Sequence, residues 1–587
     1  MCGIAGVLAL PGMEVPESVL EDMARAIAHR GPDGEGRYRN GSLAMVQRRL
    51  AIIDLVTGDQ PMHGPGGRVL IANGEIYNHV EWRRVLGDEV FKTNSDCEVP
   101  LHLYEQDGDG YARGLRGMYT IAIFDPKRQR LVLSRDPFGI KPLYIAQTSL
   151  GLAFASEPQA LISAGLVSAE VDPGVRSTFL QCQFATGRDT IFSGIERVLP
   201  GETLIAEQGR IVERLRRDAL PELDWCEWSE AEALERLDAA LIDSVRVHER
   251  ADVPYGLFLS GGVDSSAILA AMRRIDDRPV KAYTVGFDVA GARDERAHAA
   301  AVAQAAGADH REVTFGRDDF WRLLPMVAAA MDDPAADYAT LPTYRLAEVA
   351  REDLKVVLSG EGGDELFGGY GRYRRFLRHR LLGGGTLRRN GIFDGIGILR
   401  DRSTAWRRDL DQGEKAEARP TRSRLEQAQA ADMADWLPND LLTKLDRCLM
   451  AHGVEGRVPF LDAHVADVAF RLPDSLKLRD GKGKYLLRRW LHRELPQADA
   501  FSKKRGFTVP VGAWIAERGE TLGALVAAQP ALEGWTHQKR IRQVFEKADR
   551  KRSGFAAWTL LFYVLWHRRH IDGVDVAGLT VDQVLAV

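Results

Sequence analysis

Cys2 stands directly after the initiator methionine. Removal of Met1 would free its α-amine, with an ordinary pKa of about 7.7–8.0, to act as base for its own thiol, since only the thiolate attacks. A nucleophile of this kind acting on an amide needs donors for a tetrahedral oxyanion. The side-chain amide of Asn73 and the backbone N–H of Gly74 are candidates. An amino-acid substrate also needs charged partners: Arg49 for its carboxylate, Asp96 and the backbone near Glu75 for its ammonium.

A second chemistry is written in Ser260-Gly261-Gly262-Val263-Asp264-Ser265-Ser266. Glycines let backbone approach phosphate oxygens, hydroxyls add donors, and a following helix N-terminus favours anions. No GxxxxGK[ST] is present, so this is not a Walker A loop. A third cluster, Ser359-Gly360-Glu361-Gly362-Gly363-Asp364-Glu365, sets three acids within 361–365. They repel one another unless a cation offsets them, and Mg²⁺ arriving with ATP is the natural hard cation for oxygen ligands.

The first two hundred residues must place the Cys2 group, and they read as strands. Arg68–Asn78 and Met118–Asp136 carry β-branched and aromatic runs, the latter a hairpin turning at Asp125-Pro126, and Gly201–Glu213 reads as another. Runs apolar on both faces predict sheets buried between other layers. Residues 214–228 show no period and are expected to be a linker between domains at 1–213 and 229–587. Ser229 with Glu232 forms a capping box, and Leu234, Leu237, Leu241 and Val245 repeat at helical spacing. Residues 255–260, 280–287 and 355–360 are buried-strand candidates, each followed by a helical pattern, so this half predicts a parallel α/β sheet. From about 370 onward the chain reads as mostly helical and rich in arginine.

The 587 residues carry 78 Lys plus Arg against 83 Asp plus Glu, a net −5, which argues against a general nucleic-acid binder. The five cysteines have no CxxC spacing, which disfavours a disulfide framework or a structural zinc. No stretch approaches the apolar length of a membrane span, and MCGIAGVLALPG lacks the positive flank of a signal peptide. The expected setting is cytoplasmic.

The motifs MCGIAG, HRGPD, RRLAIIDL, NGEIYNH, TNSDCE and SRDPFGIKPLY, in that order over about 1–205, resemble the glutaminase domain of class II glutamine amidotransferases. The resemblance implies an N-terminal-nucleophile (Ntn-hydrolase) αββα sandwich, with Cys2 as nucleophile, Asn73 and Gly74 as oxyanion donors, and Arg49, Glu75 and Asp96 holding glutamine. SGGVDSS resembles the pyrophosphate loop of ATP pyrophosphatases, of the adenine nucleotide α-hydrolase-like type. LSGEGGDELFGGY, LDRCLMAHGVEGRVPFLD and GKGKYLLRRW resemble the asparagine synthetases, so the likeness covers nearly the whole chain. It implies that Ser260, Gly261, Gly262, Asp264, Ser265, Ser266, Ser359 and Gly360 contact ATP, with Leu259 and Val285 at the adenine. By the same resemblance Glu361 supports acyl-adenylate formation, Asp264 and Asp364 ligate Mg²⁺, and Lys484 stabilises negative charge. KKRGFTVPVGAW, Lys503–Trp514, is a candidate lid.

The function implied is glutamine-dependent asparagine synthesis. The partners implied are glutamine, aspartate and ATP, with a homodimer left open and no nucleic acid or membrane. The alternative is an amidotransferase of the same architecture that amidates a different carboxylate, a sugar acid or a peptide. Asp332–Tyr344 is the stretch expected to shape the acceptor pocket, with Thr340 and Thr343 as its candidate contacts.

Overall fold

The computed structural model describes residues 2–222, 226–287, 295–379, 384–401, 403–502 and 509–587. In the N-terminal domain two six-stranded antiparallel sheets face each other. One runs in the order Glu196–Arg197, Tyr144–Gln147, Gly151–Ala155, Gly3–Ala9, Leu43–Arg49, Gly34–Asn40. The other runs Arg210–Arg216, Glu202–Glu207, Arg130–Arg135, Gly117–Asp125, Val69–Ile76, Met62–His63.

Period-two alternation builds the layers. Ile4 and Leu8 point between the sheets, onto Met45, Phe124, Leu133 and Phe154. Ala5, Val7 and Ala9 point the other way, into the cluster holding Leu20 and Met23 of helix Glu17–Ala26. Helix Val99–Asp107 covers the second sheet with Leu101, Leu103 and Tyr104 against Leu70, Ile121 and Ile123. Four layers, αββα, result, as the motifs imply. The expected hairpins form as Gly117–Asp125 with Arg130–Arg135 and as Glu202–Glu207 with Arg210–Arg216. The last strand continues through 214–216, the first residues of the expected linker, and 223–225 lie outside the described residues.

Helix Glu230–His248 opens the second domain with its capping box in place, Ser229 against Glu232. Five parallel strands follow, in the order Asp309–Phe315, Lys281–Phe287, Tyr255–Phe258, Val356–Leu358, Glu455–Arg457. The three strands expected from sequence are its centre. The flanking two were not foreseen: DHREVTF is largely charged, and GVEGRVPF forms only Glu455–Arg457. The chain order reverses between Tyr255–Phe258 and Val356–Leu358, the kind of switch point where open α/β sheets bind ligands.

The C-terminal part is helical, as expected. Helix Lys551–His570 is buried nearly all round through Trp558–Trp566, which marks a core helix. Among the described residues no helix is long and apolar enough to cross a membrane.

Candidate functional sites at Cys2 and at the parallel-sheet switch point

Cys2 is buried at the head of strand Gly3–Ala9. Its N–H donates to Asn73 Oδ1 at 3.0 Å. The Asn73 amide is wholly buried, and its Nδ2 has no hydrogen-bond partner. A buried donor left unmatched is destabilising by roughly 1–3 kcal/mol, so it marks a place where a ligand oxygen belongs. Asn73 and Gly74 sit in strand Val69–Ile76, opposite Thr120 and Tyr119. A Cβ at Gly74 would lie 2.2 Å from the Met118 carbonyl oxygen, so the position accepts only glycine.

Arg49 closes another side. Its Nη1 donates to Asp59 at 2.6 Å, and its positive charge acts on Cys2. Burial pushes the Cys2 thiol up, and Glu455 adds to this, while the Leu50 N–H and Arg49 oppose it. Asp96 accepts from the Ile76 N–H at 2.6 Å, and burial raises its carboxyl. At Glu75 it was the backbone that was expected to serve a substrate. Its carboxylate is turned to Arg457 of the second domain, 3.1 Å away, which leaves its backbone rather than its side chain for a substrate. Arg30, from HRGPD, was not singled out from sequence. It donates to the Cys2 carbonyl at 3.2 Å, to Glu157 at 2.6 Å, and in a fork to Asp446 at 2.8 and 3.0 Å.

The second site follows from strand adjacency. Strands Tyr255–Phe258 and Val356–Leu358 are parallel neighbours, so the loops after them, 259–265 and 359–365, must lie side by side. The contact is tight: a Cβ on Gly363 would stand 2.5 Å from Asp264 Oδ1. A cavity of about 260 Å³ opens there, lined by Leu259, Ser260, Asp264, Ser265, Val285, Ser359, Gly360, Glu361 and Asp364 among others. Nine of the expected residues thus meet. Gly261, with φ +69°, and Gly262 shape the turn into helix Val263–Ile275 without lining the cavity. Ser266 departs from expectation: it is fully buried within that helix and lines no part of the cavity.

Lys484 Nζ lies between the two aspartates, 2.7 Å from Asp364 Oδ1 and in a short ion pair with Asp264. Burial opposes its charge, but the two carboxylates outweigh burial and hold the ammonium above its usual range. The two aspartates are hard oxygen donors, and no metal-holding group of three or more His, Cys, Asp or Glu occurs among the described residues, a set that suits Mg²⁺ completed by phosphate oxygens. Glu365, fully buried, is pushed up to about 8 by burial, then by Asp364, against a 2.8 Å hydrogen bond donated by Tyr370.

The expected acceptor stretch divides. Asp332 and Asp333 are buried at the domain interface, on Arg447 at 2.7 Å and Arg197 at 2.6 Å. Thr340 is a correction: its hydroxyl donates to the Asp337 carbonyl at 2.8 Å inside the core, away from the cavity. Thr343 does line it, with Ala339, Pro342 and Leu346. Of the candidate lid, 503–508 lie outside the described residues, whereas Trp514 packs into the core against Phe320 with ring centroids 5.2 Å apart. Sequence reasoning missed Lys444 and Leu445 on the cavity wall, although Lys444 immediately precedes the LDRCLMAHGVEGRVPFLD signature.

Residues 236–568 match the asparagine synthase family, and residues 1–215 match the glutamine amidotransferase domain. The chain belongs to the asparagine synthase family. It is 31% identical to asparagine synthetase [glutamine-hydrolyzing] 1 of Bacillus subtilis, with 97% of each chain covered. It is 34% identical to a putative asparagine synthetase [glutamine-hydrolyzing] of Mycobacterium tuberculosis, covering 99% of each. Asparagine synthetase B [glutamine-hydrolyzing] of Escherichia coli is 30% identical over 90% of this chain and 85% of its own length. The two matched regions of the asparagine synthase chain coincide with the two sites, Cys2 in the first and the loop pair in the second.

Proposed function

We propose that the protein makes asparagine from aspartate, ATP and glutamine. The observation that carries this reading is the meeting of Asp264 and Asp364 across Lys484, in a molecule that also holds Cys2 against Asn73. Met1 removal would leave the α-amine of Cys2 at the atom that now donates to Asn73, beside the thiol it must deprotonate. The thiolate attacks the glutamine amide carbon, and Asn73 Nδ2 with the Gly74 N–H receives the oxyanion. Ammonia departs, and water hydrolyses the thioester to glutamate and the free thiol.

In the cavity, the aspartate side-chain carboxylate attacks the α-phosphorus of ATP and pyrophosphate leaves. Carboxylate itself is a poor electrophile, so this adenylation is required before ammonia can displace AMP. Mg²⁺ held by Asp264 and Asp364 would supply charge neutralisation for the phosphates. Lys484 sits where negative charge grows on the phosphoryl group, Ser260 and Ser265 offer hydroxyl donors, and Leu259 and Val285 offer an apolar face for the base. Glutamine, aspartate and ATP are then the partners, and the cytoplasm is the proposed compartment, in keeping with five free cysteines.

Mass spectrometry of products from ATP, Mg²⁺, glutamine and a panel of carboxylates tests the reading. Asparagine and AMP appearing together in equal amounts is the expected result. AMP formed only with a sugar acid or a peptide would replace aspartate by that acceptor, and no AMP with any acceptor would sink the proposal.

A further inference from the structure

Lys444 is the only lysine, arginine or histidine among the described residues lining the cavity at the switch point, which also carries the acids Asp264, Glu295, Glu361 and Asp364. Such a wall repels an anionic acceptor unless one cation meets it. Lys484 is already engaged by two aspartates and does not itself line the cavity. Lys444 opens helix Thr443–Met450, its side chain 6% exposed, with Nζ 3.2 Å from Glu361 Oε1 and 3.4 Å from Asp337 Oδ2. Asp440 also acts on this ammonium; it is buried, and its Oδ1 has no hydrogen-bond partner. Lys444 is shared by Glu361 and Asp337, and burial pushes the Asp440 carboxyl well above the usual carboxylate range, so the pair alone leaves a local excess of negative charge, which suits a ligand that brings an ammonium along with its carboxylate. Ala339, Pro342, Thr343, Leu346 and Leu445 form the mostly apolar wall beside Lys444, away from the glycine-rich loops.

We propose that Lys444 takes the α-carboxylate of an α-amino acid bound in this cavity, with Asp337, which pairs with the lysine at 3.4 Å but does not line the cavity, as its positioning residue. The side-chain carboxylate is then left unpaired, which keeps it nucleophilic toward the α-phosphorus. Specificity for the acceptor therefore comes from helix Thr443–Met450 and the turn before helix Thr340–Ala350, not from the threonine of the expected acceptor stretch. The assignment rests on the reading of this cavity as the adenylating site.

The test compares wild type, Lys444→Met, Lys444→Arg and Asp337→Asn in pyrophosphate exchange, with three acceptors: aspartate, β-alanine, which lacks the α-carboxylate, and succinate, which lacks the ammonium. Lys444→Met should raise the KM for aspartate about 10- to 100-fold, as expected for losing a buried charged hydrogen bond, with the KM for ATP within about threefold. Its preference for aspartate over β-alanine should collapse, and Lys444→Arg should restore part of it. Asp337→Asn, acting through Lys444, should lower the preference over β-alanine by less than Lys444→Met does, with the preference over succinate unchanged. Equal losses with every acceptor and with ATP would mean a structural role and overturn the assignment. So would a wild-type preference over β-alanine retained in both variants.

Calorimetry of aspartate binding in the presence of a non-hydrolysable ATP analogue separates the two levels of the reading. Binding that needs Lys444 in a protein without exchange would sink the asparagine synthesis proposal and keep the role of Lys444. Wild type that fails to bind aspartate overturns that role. Should Lys444→Met not fold, Asp337→Asn and Lys444→Arg carry the same comparison.

Discussion

The Cys2 site lies within strands, on residues whose backbones are fixed by antiparallel ladders on both sides, and its groups are nearly all buried. The Asp264–Asp364 site lies beyond the ends of parallel strands, on loops whose glycines let two backbones touch, around a cavity of about 260 Å³. In the first kind of site the charged side chains are buried and paired with one another, with one donor waiting for an oxyanion. The second is crowded with charge that only a highly charged ligand can balance. Carbonyl chemistry needs a donor held still, whereas adenylation needs charges matched to phosphates, and each half of the chain supplies the scaffold suited to its task.

That contrast can be broken at four places. Cys2→Ala should lower glutamine-dependent synthesis by roughly 10⁴–10⁶-fold while ammonia-dependent synthesis continues. Glutamate release surviving in that variant would remove Cys2 from its role. Asp364→Asn should cut ATP–pyrophosphate exchange by about 10³-fold or more and spare glutamine hydrolysis. If both activities fell together, the two sites would not be separable as described. Asn73→Ala takes away the waiting donor, and the kcat of glutamine hydrolysis should drop by about 10²–10³-fold with exchange unaffected. A drop under tenfold would place the oxyanion elsewhere.

The smallest effect is one of stability. Burial holds the Glu365 carboxyl at about 8 in the folded protein, above the 4.5 of an exposed glutamate. The folded state therefore binds more protons than the unfolded state across that interval. Its contribution is fully present below the unfolded pKa and is lost as pH rises through the folded one. In ligand-free protein the Tm advantage of wild type over Glu365→Gln should shrink between pH 4.5 and 8. A flat difference would show that folding leaves the Glu365 pKa unshifted, and one that grows would show that folding lowers it.

Much of this was legible in the residues because it was local. Cys2, Asn73-Gly74, SGGVDSS and SGEGGDE each carry their chemistry within a few positions, and the alternation of apolar residues around Ile4–Ala9 encodes a strand buried on two faces. What was not legible depends on strands and helices distant in sequence. Glu455–Arg457 is too short and charged to announce a strand, and its place at the sheet edge comes from pairing with Val356–Leu358. Lys444 reads as one more basic residue on a helix, and only the packing of that helix beside Asp337 and Glu361 gives it a role. Thr340 and Ser266 erred in the opposite sense: a hydroxyl in a suggestive stretch turned inward to the core.

Helix Thr443–Met450 sends Lys444 to the cavity, Asp446 to the arginine that grips the Cys2 carbonyl, and Arg447 to Asp332. These three side chains span residues 444–447, about 4.5 Å of axial rise at 1.5 Å per residue. One turn of backbone is therefore a common datum for both reaction centres, much as two tools clamped to one short bar share its alignment. A change in the position of this turn would displace the arginine at the Cys2 carbonyl and the lysine at the cavity together.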